Sequence, residues 1–207
     1  FSLSDFGTAS AIGRFLARVR GQKDADAADR LFSTAFLIMF LAGLIVAVLT
    51  VLVAPWIPGL LSIPSGYAEL AGVIFIITGF SLALQFPLRL GMGILTGYQL
   101  YGWHAIGKIL SSILYLIGVI TLATLNSLNL IWLTLVSAGA TIISQLVLMF
   151  VAWWKTGPWK ISLRNVSWHT GKQLFGLGSS LLVITVSKLI YDKGMVIMIG
   201  RILGMAA

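Results

Sequence analysis

The chain has 207 residues, of which 58% are hydrophobic and 10% charged, with 14 Lys and Arg against 6 Asp and Glu and no cysteine. A soluble domain carries about 25% charged residues, so a mean hydropathy of +1.00 excludes a soluble body and requires a membrane protein that satisfies its backbone within helices or a closed barrel. The lack of cysteine excludes disulfides, thiol catalysis and Cys-ligated metals, and the net charge of +8 fits the Lys/Arg enrichment of cytoplasmic loops better than the footprint of a nucleic-acid binder.

The apolar runs are continuous rather than alternating, which predicts helices. Residues 1–20 read as the end of a helix leaving the membrane, and 21–30, GQKDADAADR, as a polar loop. Residues 31–53 are long enough to cross a core of about 30 Å at about 1.5 Å per residue. APWIPGLLSIPSGY, with three prolines and two glycines, predicts a loop. Further spans are expected near 68–88, 105–125 and 130–154. Between them, 89–104 (RLGMGILTGYQLYGWH) reads as an interfacial turn, NSLN as a tight turn and 155–172 as a basic loop. A last helix is expected from about Gln173. The chain opens on Phe1, shows no cleavable leader and stops just after an apolar segment, so it reads as an internal piece of a longer protein.

Eleven of the Lys and Arg fall on one side of these spans, between Arg14 and Arg30, at Arg89 and Lys108, and between Lys155 and Lys172. The opposite side, 54–70 and 125–129, has none and carries Glu69. This asymmetry predicts that loops 21–30, 89–104 and 155–172 are cytoplasmic. Trp153, Trp154, Trp159, Tyr98, Tyr101 and Trp103 would form the aromatic belt of that side, with Trp56, Tyr67 and Trp132 on the other.

Charge inside the last span is the most informative feature. SKLIYDKGMVIMIGR carries Lys188, Asp192, Lys193 and Arg201 in an otherwise apolar helix, and such charges mark functional sites or paired contacts. Lys188 and Asp192 are four apart and can pair on one face. The pair can cement helix packing or bind substrate. Arg14, one turn before Arg18 and among the small residues Gly7, Ala9, Gly13 and Ala17, can line a cavity or snorkel to the interface. His104 and His169 lack metal-ligand spacing, GMGILTG is not a dinucleotide fingerprint, and the acids form no general acid/base dyad. No cofactor, metal or catalytic residue is therefore expected, and the chain reads as a non-enzyme.

Three stretches carry a resemblance. SLSDFGTASAIGRFLARVRGQKD, with Asp5, Phe6, Gly7, Arg14 and Ala17, resembles the second helix of bacterial Wzx-like polysaccharide flippases in the MOP exporter superfamily, which also holds the lipid II flippase and MATE multidrug exporters. FPLRLGMGILTGYQLYGWHAIGKI, with Pro87, Gly93, Gly97 and Gln99, resembles their helix 4–5 region, and SKLIYDKGMVIMIGRILGMAA, with Asp192, Leu203 and Gly204, their seventh helix. The resemblance implies an all-α, polytopic transmembrane bundle covering about helices 2–7 of a two-lobe transporter. Residues 1–155 would be N-lobe helices, 156–172 a cytoplasmic inter-lobe loop, and 173–207 the first C-lobe helix. It further implies the inner membrane of a prokaryote, an undecaprenyl-type lipid-linked oligosaccharide as substrate, polysaccharide polymerase or assembly proteins as partners, and no nucleic acid. A cationic cavity of Arg14, Lys188, Asp192 and Lys193 would then hold the diphosphate. The alternatives are a MATE-like cation-coupled exporter, for which Asp5 and Asp192 are the candidate carboxylates, and a non-transporting membrane assembly protein.

Overall fold

The structure is a computed structural model that describes residues 12–17, 25–60, 63–157, 159, 161–174 and 176. A short helical segment, α1 (12–17), precedes the long α2 (Ala25–Val53). The single turn α3 (Ile57–Leu60) leads to α4 (Ala68–Gly97), α5 (Tyr101–Thr124) and α6 (Leu130–Thr156), and α7 (168–174) follows. No strand occurs among the described residues. Among the described residues, four helices are long and apolar enough to cross a membrane: Asp26–Leu60, Ala68–Gly97, Tyr101–Thr124 and Leu130–Thr156. The expected all-α transmembrane bundle with four full spans is what the chain forms.

Several boundaries differ from expectation, each for a physical reason. The expected loop 21–30 is already helical from Ala25, because Asp26 sits in the first turn, where a carboxylate favours a helix N-terminus. APWIPGLLSIPSGY is not irregular throughout: 3-10 turns at Ala54–Trp56 and Ser65–Tyr67 flank α3, with Pro55 in the first turn, where its missing N–H costs nothing. The helix expected from Gln173 is already formed at 168.

The largest correction concerns 89–104, which is not a loop. α4 runs through Pro87 to Gly97 and α5 begins at Tyr101, so Arg89 lies inside a membrane helix. Gly91 and Gly97 are not turn residues but helix contacts. A Cβ at Gly91 would lie 2.6 Å from Met149 Cα on α6. The turn itself uses Gln99 at φ 60. Leu100 N–H donates to Leu95 O at 2.8 Å and Gln99 N–H to Thr96 O at 2.9 Å, a Schellman closure. Asn126, at φ 49, closes α5 in the same way, with Ser127 N–H on Leu122 O at 3.0 Å. Asn129 caps α6 by accepting from Ile131 N–H at 3.2 Å.

α4 is the central helix, packed against α2 and α6, while α5 packs on α6 and barely meets α4. Small residues set these approaches, as expected where lipid offers no hydrophobic drive between helices. Pro87 deprives the Ala83 carbonyl of its helical donor. Gly43 of α2 packs there, and a Cβ on it would sit 2.5 Å from Ala83 O. Ser144 of α6 donates to Gly107 O of α5 at 2.6 Å.

The buried core lies at the basic end of the bundle. It joins Ile12 and Leu16 of α1, Leu31, Phe32 and Ala35 of α2, Leu90 and Ile94 of α4, Leu148 and Ala152 of α6, and Leu174. The segment after α6 is strapped onto the start of α2. Ser162 N–H donates to Ser33 Oγ and Ser167 N–H to Thr34 Oγ1, both at 3.0 Å, and Trp159 packs on Phe32 with ring centroids 5.2 Å apart. Trp159, Tyr98 and Trp103 therefore turn toward the core rather than joining the exposed belt. Tyr101, Trp153 and Trp154 are exposed at this end, and Trp56, Tyr67 and Trp132 at the other.

Candidate functional site

Arg14 is exposed on α1, beside the buried Ile12, Gly13 and Leu16. That buried side is set by close contact with α4: a Cβ at Gly97 would lie 2.9 Å from Gly13 O, and one at Gly13 would lie 3.3 Å from Gly93 O. The glycines thus fix α1 against α4 and leave the guanidinium on the free side. Lys188, Asp192 and Lys193 lie outside the described residues, as does Asp5.

Sequence reasoning missed a different polar constellation. A groove of about 420 Å³ runs between α4, α5 and α6 in the half of the bundle away from the basic end. α4 contributes Thr78, Ser81, Leu82 and Gln85, and α5 contributes Tyr115. The α6 floor is Leu130, Leu133, Thr134, Ser137, Ala138 and Thr141. The spacing of Thr78, Ser81 and Gln85 puts them on one face of α4, and Thr134, Ser137/Ala138 and Thr141 do the same on α6. The two helices run in the same direction, with Gly91 level with Met149, so their polar faces meet along the groove.

A hydrogen-bonded chain leads inward from the groove along α4. Gln85 Nε2 donates to Ser81 Oγ at 3.2 Å, and Arg89 donates to Gln85 Oε1 at 3.4 Å. Arg89 is 9% exposed, a buried cation about two turns inside the helix end. On α6, Gln145 lies one turn inward of Thr141, and its buried Oε1 accepts no hydrogen bond. The available signal was the helical period of Thr, Ser and Gln across two apolar spans. It was hidden because the span was ended at residue 88, which moved Arg89 into a loop.

His169 contacts Gln173 at 2.9 Å between Nε2 atoms. Among the described residues no group of three His, Asp or Glu converges as a metal site would require.

Four long apolar helices, three of which enclose a polar groove, together with a buried arginine define a multi-pass membrane protein. A family profile described as polysaccharide biosynthesis protein matches residues 12–207, and the chain belongs to that family. No curated protein and no solved structure matches it.

Proposed function

We propose that this protein is a flippase. It moves an isoprenoid-pyrophosphate-linked oligosaccharide across the cytoplasmic membrane of a prokaryote by alternating access, for polysaccharide synthesis. The observation that carries the reading is the polar groove and buried Arg89 set at membrane depth within a member of a polysaccharide biosynthesis family. Buried polar groups in a membrane are expensive and mark solute pathways.

On this reading the protein makes and breaks no covalent bond. Its task is to offset charge. A diphosphate crossing a low-dielectric medium needs fixed cations along its path. Arg14, exposed near the basic end, would meet the headgroup as it enters from the cytoplasm, and its planar fork suits phosphate. Lys188 and Lys193 would continue that lining, with Asp192 holding Lys188 in place. Polysaccharide polymerases and other assembly proteins would receive the product on the far side. A cation-coupled exporter would instead want an unpaired buried carboxylate, and the groove is lined by none.

Complementation tests the reading. Arg14→Ala in a cell lacking its own flippase should abolish surface polysaccharide at unchanged protein level, and Arg14→Lys should restore it partly. Full export by Arg14→Ala removes Arg14 from the path.

A further inference from the structure

We propose that the groove between α4, α5 and α6 is a subsite for the neutral sugar portion of the translocated molecule, separate from the cations that would hold its diphosphate. The inference rests on the transport reading above and adds to it a site and a chemistry.

The lining chooses among ligands. Seven of its eleven residues carry polar side chains, and none is ionised. A polar wall of this kind does not suit an acyl chain, since hydrocarbon leaves its groups unsatisfied. A diphosphate would want charged donors at the wall; no lining residue is charged, and Arg89 lies buried behind Gln85. A metal or sodium ion would want carboxylates, and Arg89, bonded to Gln85 at the groove's inner end, repels cations. A neutral polyhydroxyl compound meets none of these objections.

The hydrogen-bond inventory points the same way. Thr78, Thr134 and Thr141 each spend their hydroxyl proton on a carbonyl of their own helix, Ile74, Leu130 and Ser137 respectively, at 2.7–2.9 Å. A hydroxyl keeps two acceptor lone pairs, so these side chains offer acceptors to the groove. Gln145 Oε1, one turn further in, is a buried acceptor without a donor. A site rich in acceptors and free of ionised groups calls for a ligand rich in neutral O–H donors, as a sugar is. Tyr115, 42% exposed on the α5 wall, presents an aromatic face for the apolar C–H side of a sugar ring and a hydroxyl for its edge. A volume of about 420 Å³ lies within the range of about 300–1,000 Å³ for ligand sites.

The test uses the full-length protein in lipid nanodiscs with two probes: polyprenyl pyrophosphate bearing a neutral trisaccharide, and sugar-free polyprenyl pyrophosphate. The double variant Thr134→Val/Thr141→Val removes two acceptors while nearly keeping shape. It should weaken binding of the glycosylated probe by about tenfold and leave the sugar-free probe unchanged. Ser137→Cys should react with a hydrophilic thiol reagent, and the glycosylated probe should protect it where the sugar-free one does not. The protection experiment decides the matter if the double variant fails to fold. Equal weakening of both probes, or of neither, overturns the subsite. A Ser137→Cys that is unreactive without ligand shows that another helix fills the groove, and one that reacts but is protected by neither probe shows hydration only; each overturns it. If neither probe binds the unaltered protein, the transport reading fails and the subsite with it. If the sugar-free probe binds and the groove variants are silent, the subsite alone fails.

Discussion

Gly91→Ala is the sharpest probe of the packing. Intrinsic propensity favours the change, since Ala in a helix interior is better than Gly by up to about 1 kcal/mol. The structure says the opposite. The new methyl would lie 2.6 Å from Met149 Cα, 2.9 Å from Met149 N and 3.2 Å from Leu148 C, all backbone atoms that cannot swing aside. Carbon atoms rest at about 3.5–4.0 Å, so α4 and α6 must part by roughly 1 Å. A gap of that size forfeits up to about half of each dispersion contact it opens. Overpacking of this kind costs about 1–3 kcal/mol. Gly72→Ala on the same helix is the control, because nothing lies within 4 Å of its methyl, and it should gain up to about 1 kcal/mol. The propensity gain is common to both variants, so their unfolding in mixed micelles, followed by tryptophan fluorescence, should separate them by the overpacking cost of about 1–3 kcal/mol. Equal stability would refute the close α4–α6 approach.

Gln99→Gly should stabilise by about 1 kcal/mol, measured in the same assay, because a left-handed residue with φ 60 is relieved of its side-chain clash. Ser144→Ala should cost about 0.6 kcal/mol, the average for interhelical hydrogen bonds in membranes, through loss of its bond to Gly107 O. Ser33→Ala/Thr34→Val should release the strap after α6, read as faster proteolysis within 157–167, because two backbone N–H groups lose their acceptors. A cysteine in place of Trp168 should resist a membrane-impermeant reagent on intact cells, and one in place of Gly66 should react. The reverse pattern rejects the assigned orientation.

Span number and helix type were legible because apolar runs of 20 or more residues leave the backbone no other way to satisfy itself in lipid. The ends were less so, and for a consistent reason. Glycine was read as a turn signal at 91–97, yet in a membrane bundle its lack of a side chain serves close contact, at Gly91 with α6 and at Gly97 with α1. The turn fell instead on Gln99, which carries no such signal. Pro87 was placed near a helix end, whereas the helix runs ten residues past it. Ending the span early also hid the polar column, because Arg89 read as a flanking charge rather than a buried one. Arg14 is found exposed, next to a Gly13 that serves close packing on α4 rather than open space. The last-helix charges fall on residues the structure does not describe.

Translocation itself is the central claim, and reconstitution measures it most directly. The purified full-length protein in proteoliposomes would be given polyprenyl pyrophosphate carrying a labelled neutral oligosaccharide, with the label on the outer leaflet destroyed by an impermeant enzyme at set times. The account predicts that protein-containing vesicles lose the inner-leaflet pool as it is carried outward, that Arg14→Ala vesicles keep it, and that sugar-free vesicle lipids do not move. An inner pool as well protected with the protein as without it, in vesicles where the protein is folded and correctly inserted, would contradict the account.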